Sequence, residues 1–276
     1  MPNFASCLKS MKKLLYILLA VITLSSCNEY QKALKNDDIL KKFELGTELF
    51  DAGKYNKANR LFVQIVPKYR GKPQAEKLMY MYSKTFYHTK DYYTSNYQME
   101  RFVSSYPNSE KVEEIAFLAA KSIYHLSPIY SKEQKETTDA LEKLQAFINQ
   151  FPGSSYLEEA NTLIKELDFK LEMKAYSIAK QYNRITDYEA SIKSFDNFLL
   201  EYPGTSLKEK AMFYRFDSAY KLAVNSVEWR KEERLNKAIS FYNSLKTAFT
   251  ESEFLNDATE MYNELDNLLK EYNTKS

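Results

Sequence analysis

The chain has 276 residues, with 39 basic against 37 acidic side chains, a formal charge of +2 and 44% apolar content. That is a globular composition with ample material for a core, and its near-neutral balance gives no case for nucleic acid, which needs a basic face. Two cysteines, two histidines and five glycines leave no disulfide framework, too few ligands for a zinc site and no phosphate-cradling loop.

Near the start, Lys12 and Lys13 precede an eleven-residue apolar run, Leu14 to Leu24, and Leu24-Ser25-Ser26-Cys27 follows. Eleven residues span ~16 Å as a helix, about half a bilayer core. The run is too short to cross a membrane and suits a cleaved export signal. Ser25-Ser26-Cys27 resembles the lipobox of bacterial lipoproteins, in which a diacylglycerol joins the cysteine sulfur. Residues 1–26 are therefore read as a signal peptide (Met11 is an alternative start), Cys27 as the lipid-attachment residue and 27–38 as a tether. Several acyl chains hold a protein stably where one does not. Without the signal, and so without Lys9, Lys12 and Lys13, the balance becomes 36 basic to 37 acidic residues over 250. No second cysteine remains, so packing alone must hold the fold.

The body repeats itself. Five stretches align: GKYNKANRLFVQIVPKYRGKPQAEKLMY, KDYYTSNYQMERFVSSYPNSEKVEEIAF, ETTDALEKLQAFINQFPGSSYLEEANTL, TDYEASIKSFDNFLLEYPGTSLKEKAMF and ERLNKAISFYNSLKTAFTESEFLNDATE. A small residue recurs at Ala58, Ser95, Ala140, Ser191 and Ala238. Four positions on comes Phe62, Met99, Leu144, Phe195 or Tyr242, and three more gives Ile65, Phe102, Phe147, Phe198 or Leu245. A last step of four reaches Tyr69, Tyr106, Phe151, Tyr202 and Phe249. Steps of four, three and four trace one stripe on an α-helix, and the small column lets a neighbouring helix approach closely.

Turns of the form aromatic-Pro-x-Ser/Thr follow at Tyr106, Phe151 and Tyr202, where proline and glycine stop one helix and a hydroxyl caps the next. Ser155 to Glu158 and Ser206 to Glu209 read as capping boxes. Glu76 and Glu113 fall in the same column, in the first turn where the helix dipole favours acids. Inserted segments are expected at Ser127 to Lys135 and Asn225 to Arg234, with one extended helix from Ser155 to about Ile185. The last stretch, Phe254 to Tyr272, is a lone helix that caps the open end. The predicted fold is all-α, a right-handed α-solenoid of about five helical hairpins plus a C-terminal capping helix. Its N-terminal repeats cover 39–153 and its C-terminal repeats 154–276.

Leu45-Gly46, with Ala58 and Phe62 after it, resembles the tetratricopeptide pattern L-G … A-x3-F. Tyr82-Ser83 and Ile178-Ala179 hold the same two places, whereas the third repeat has Pro128 in this half. His88 and His125 lie on different repeats with no ligand partner nearby, and no G-x-S-x-G turn offers a nucleophile. The sequence displays no catalytic or metal site and calls for no cofactor beyond the lipid on Cys27. What remains is binding. Tetratricopeptide arrays line a groove with the first helix of each hairpin, which implies Phe43, Thr47 and Phe50 from the first repeat and Tyr80, Lys84 and Tyr87 from the second. Aromatics around a lysine suit an extended or carboxylate-ended peptide; the same rings also suit packing between hairpins. Trp229 beside Arg230, in the charged stretch NSVEWRKEER, either docks a partner or folds back on its own hairpin.

The lipobox followed by CNEYQKALK, the segment YNKANRLFVQIVPKYRGKPQAEK and the recurring turns together resemble the BamD family, in a Bacteroidetes-like form. The resemblance implies a non-enzymatic, lipid-anchored outer-membrane protein on the periplasmic side. It also implies binding to the periplasmic domains of BamA and to unfolded β-barrel precursors, the precursors through the N-terminal repeats and BamA through the C-terminal ones. Two other readings fit a periplasmic repeat lipoprotein: a pilus or secretin pilot or YbgF-type coordinator, and a SusD-type glycan binder, though chains of that type run about twice as long.

Overall fold

The structure is a computed structural model that describes residues 29–275, and no strand occurs among them. The signal segment and Cys27 lie outside the described residues. After a helical stretch at residues 29–35, the helices are α1 Ile39–Asp51, α2 Tyr55–Ile65 (extended by a 3-10 turn, Val66–Tyr69), α3 Ala75–His88 and α4 Tyr92–Ser105. Next come α5 Val112–Leu126, α6 Lys135–Gln150, α7 Leu157–Arg184, α8 Tyr188–Glu201, α9 Lys208–Val224, α10 Glu228–Ala248 and α11 Leu255–Lys275. Pairing α1 with α2 and so on to α10 gives five hairpins, and α11 closes the series. The extended helix falls where the sequence puts it: α7 has 28 residues, ~42 Å. The inserted segment from Asn225 is largely helical, because α10 begins at Glu228 and the extra residues lengthen it to 21.

Two compact units divide the chain. The first holds the described residues up to Ser127 together with Glu136–Leu163; the second holds Pro128–Lys135 together with the residues from Ile164 onward. The repeat columns form their cores. Ala58, Ser95, Ala140, Ser191 and Ala238 are fully buried, as are Phe62, Met99, Leu144 and Phe195 one turn on. Gly46 shows why the first helix needs a small residue too, since a Cβ there would meet Cε1 of Phe62 at 2.5 Å. Ser122 of α5 and Ser218 of α9 each lie 27 residues after the small residue of the helix before them. Their hydroxyls meet those of Ser95 (3.0 Å) and Ser191 (2.8 Å), so close approach and hydrogen bonding coincide. In the second unit Asn183 Nδ2 donates to Asp217 (2.7 Å) and Ser218 (2.8 Å), which leaves this buried polar knot paired.

The turn after the aromatic-proline pair works one residue earlier than a capping box would place it. Ser109, Ser154 and Thr205 accept from the backbone N–H two residues on, at 3.1, 3.0 and 3.1 Å. Each hydroxyl also donates to a glutamate of the preceding repeat: Ser109 to Glu76 (2.6 Å), Ser154 to Glu113 (2.5 Å) and Thr205 to Glu172 (2.7 Å). These glutamates are structural, joining repeat to repeat. Thr205→Ala removes both bonds from a buried side chain and is expected to cost about 1–2 kcal/mol in urea unfolding of the chain. Ser206→Ala, one residue on, should cost much less.

Candidate functional site

Of the six groove residues read from the sequence, the structure brings two into one cleft. Phe50, at the end of α1, and Tyr80, in α3, line a cleft of about 490 Å3 with Pro73 and Met81. Lys77 and Lys111, with Asp51, Glu76 and Glu110, supply its charged lining. An apolar pocket with charges of both signs around it suits a peptide segment carrying one or two large side chains.

The lysine expected to offer a free ammonium is already engaged. Lys84 Nζ lies 2.6 Å from Glu114 of α5 and donates to the Tyr80 hydroxyl at 2.9 Å, while that hydroxyl donates to Glu114 at 3.1 Å. Burial works to lower the lysine pKa, but hydrogen bonds to Glu114 and Tyr80 outweigh it, and the net effect is a raised value. An incoming carboxylate must therefore share this ammonium with Glu114.

The other residues lie elsewhere. Phe43 is half-buried and stacks on Tyr69 of its own hairpin at 5.3 Å and 21°. The Thr47 hydroxyl donates back to the Phe43 carbonyl at 2.8 Å. Tyr87 meets His125 Nε2 at 3.3 Å, and burial pushes its hydroxyl pKa up. Both histidines serve as stacking rings at equivalent places, His88 on Tyr55 (4.0 Å, 8°) and His125 on Tyr92 (4.5 Å, 24°). Burial lowers both imidazole pKa values, helped by Lys84 at His88 and by Lys121 and Lys90 at His125. The signal for this pairing was in the sequence, since each tyrosine and each histidine recurs after 37 residues. No cluster of three metal-ligating side chains occurs among the described residues.

In the second unit Trp229 stands in the first turn of α10 and is 75% exposed, rather than folded onto its hairpin. Arg230 lies over its ring at 4.4 Å and reaches Glu189 at 4.0 Å. The pair is an exposed aromatic-cation spot of the kind that anchors interfaces.

A family model described as YfiO, outer membrane lipoprotein, matches residues 36–235 and, again, 184–275. The chain belongs to the YfiO family of outer membrane lipoproteins. The YfiO match spans every hairpin and the closing helix, so both the cleft and the Trp229 spot lie inside family territory. No described helix is long and apolar enough to cross a membrane. No curated protein matches. Among solved structures 26 chains match. One, from the computational design of self-assembling cyclic protein homooligomers, is 14% identical over 96% of this chain and 98% of that one, with a TM-score of 0.20, too low to carry an argument.

Proposed function

We propose that this chain is a non-enzymatic scaffold subunit of the outer-membrane β-barrel assembly machinery, lipidated at Cys27 and held on the periplasmic face. In this reading the cleft between Phe50 and Tyr80 takes a segment of an unfolded barrel precursor. The second unit, with Trp229 and Arg230, meets the periplasmic domains of a BamA-like barrel protein. The observation that carries the reading is the YfiO family match along almost the whole described body. The tether raises the local concentration of partners confined to the same membrane, so weak peptide affinity suffices.

A pull-down from native membranes in mild detergent tests the proposal: a BamA-like barrel protein should be recovered with the chain, and its absence would count decisively against it. Depletion should lower barrel proteins generally rather than remove a pilus or disturb septation. Cys27→Ser is expected to abolish labelling by radioactive palmitate and to move the protein from the membrane to the soluble fraction. Undiminished labelling of the variant would place the acyl chain elsewhere.

A further inference from the structure

We propose that the outer face of α2, together with the 3-10 turn that follows it, docks on a bilayer surface of anionic phospholipid and fixes how the first unit lies on the membrane. The inference rests on acylation of Cys27. Tyr30, three residues after that cysteine, is 4% exposed and packs into the core of the first hairpin beside Ala58 and Leu61. Three residues reach ~11 Å at most. The first hairpin is thus held close to the headgroups rather than on a long leash. Lys57 of α2 lies over the Tyr30 ring at 5.2 Å, and Arg60 is near enough to oppose the rise that burial causes in its hydroxyl pKa. The anchored end of the chain therefore touches α2 directly.

The charge on that helix matches the surface it would face. From Ala52 to Ala75 there is no acidic residue, whereas Lys54, Lys57, Arg60, Lys68, Arg70 and Lys72 are all present. In a chain with 39 basic and 37 acidic residues overall, this is a local concentration of one sign. All six are exposed, and none enters an ion pair among the described residues. Val63, half exposed on the same helix, adds an apolar contact. Each basic side chain beside an anionic leaflet adds to the attraction. The acyl chains hold the protein at the membrane, and the basic face gives it one orientation there.

The test uses the mature chain carrying Cys27→Ser, so that binding is read without acyl chains. It should bind vesicles of phosphatidylcholine mixed with phosphatidylglycerol, lose binding in high salt, and ignore phosphatidylcholine alone. Reversing three charges, Lys57→Glu, Arg60→Glu and Lys68→Glu, should weaken binding by more than ~10-fold. The same change in net charge made in the second unit, Lys193→Glu, Lys208→Glu and Lys237→Glu, should leave it near the starting value. These six are exposed, and matching thermal melts confirm that each variant folds. In the acylated protein, a dye on Val63→Cys should be quenched by brominated phospholipid.

Equal binding to both vesicle types, an intact triple reversal or an unquenched Val63 dye would each overturn the proposal. Loss of a protein partner from the pull-down while vesicle binding survives would assign the face to that protein instead. Failure of palmitate labelling would sink the anchor and leave the vesicle result to stand on its own.

Discussion

Replacing Phe62 with alanine is expected to destabilise the first unit by about 3–5 kcal/mol, the range for deleting a fully buried aromatic ring. Phe62 has no exposed surface and sits among Leu61, Ile65, Leu78 and Met81, which pack too tightly to close the space left behind. The sharper test is its coupling to Gly46. In the native chain Gly46→Ala forces a methyl to within 2.5 Å of the Phe62 ring, which cannot swing away because it is itself enclosed. Overpacking of this kind costs about 1–3 kcal/mol. Once Phe62 is alanine the obstacle is gone, and Gly46→Ala gains the ~1 kcal/mol by which alanine exceeds glycine inside a helix. The second substitution should therefore change sign with the background, read from urea unfolding of the four chains. Additive effects would show that glycine is there for some reason other than the ring.

That pair also shows why so much of the fold was legible. A stripe repeated five times at helical spacing over-determines which face of each second helix is buried, and Ala58, Phe62 and Ile65 are all fully buried. The first helices were harder to read. Their small column, Gly46, Ser83 and Ala179, is broken by Pro128, and a serine outside it beside a charged residue, as in Lys121-Ser122 or Asp217-Ser218, looks like surface. Only stacking buries it against Ser95 or Ser191. The turn hydroxyls at Ser109, Ser154 and Thr205 cap as expected, but the capping boxes fell one residue late for a related reason. Ser155 and Ser206 satisfy the local capping pattern, while Ser154 and Thr205 also find a carboxylate in the previous repeat, a partner 41 or 33 residues away that local pattern cannot show. The groove suffered most. Its residues fall on α1 and α3, yet Lys84 meets Glu114, 30 residues on, and Phe43 turns to Tyr69. Which neighbour claims a side chain is decided between repeats, and a single helix carries no record of it.

The engagement of Lys84 makes the second large effect an electrostatic one. Glu114→Ala leaves an ammonium that is only 17% exposed facing Tyr80 without its counter-charge, and is expected to cost about 2–4 kcal/mol. Glu114→Gln keeps a hydrogen-bond acceptor for Lys84 and should cost less. A double change, Lys84→Met with Glu114→Leu, removes both charges and should recover most of the loss, because the penalty lies in the unpaired ion. The raised pKa of Lys84 gives the pH sense: its contribution is fully present below the unfolded value of 10.5 and is lost as pH climbs through the higher folded value. A wild-type chain should therefore weaken at strongly alkaline pH more than the double variant does. Binding separates the cleft's own role from this stability. With Glu114→Gln the ammonium is freed to meet a ligand carboxylate, so a peptide ending in an aromatic residue with a free C-terminus should bind more tightly than to the native chain, by up to ~10-fold for one charge-assisted bond. The amidated peptide should show no such gain. If both peptides respond alike, the ligand carboxylate does not reach Lys84, and whatever the cleft holds is gripped through its own lining, Phe50, Tyr80 and the lysines Lys77 and Lys111 among it.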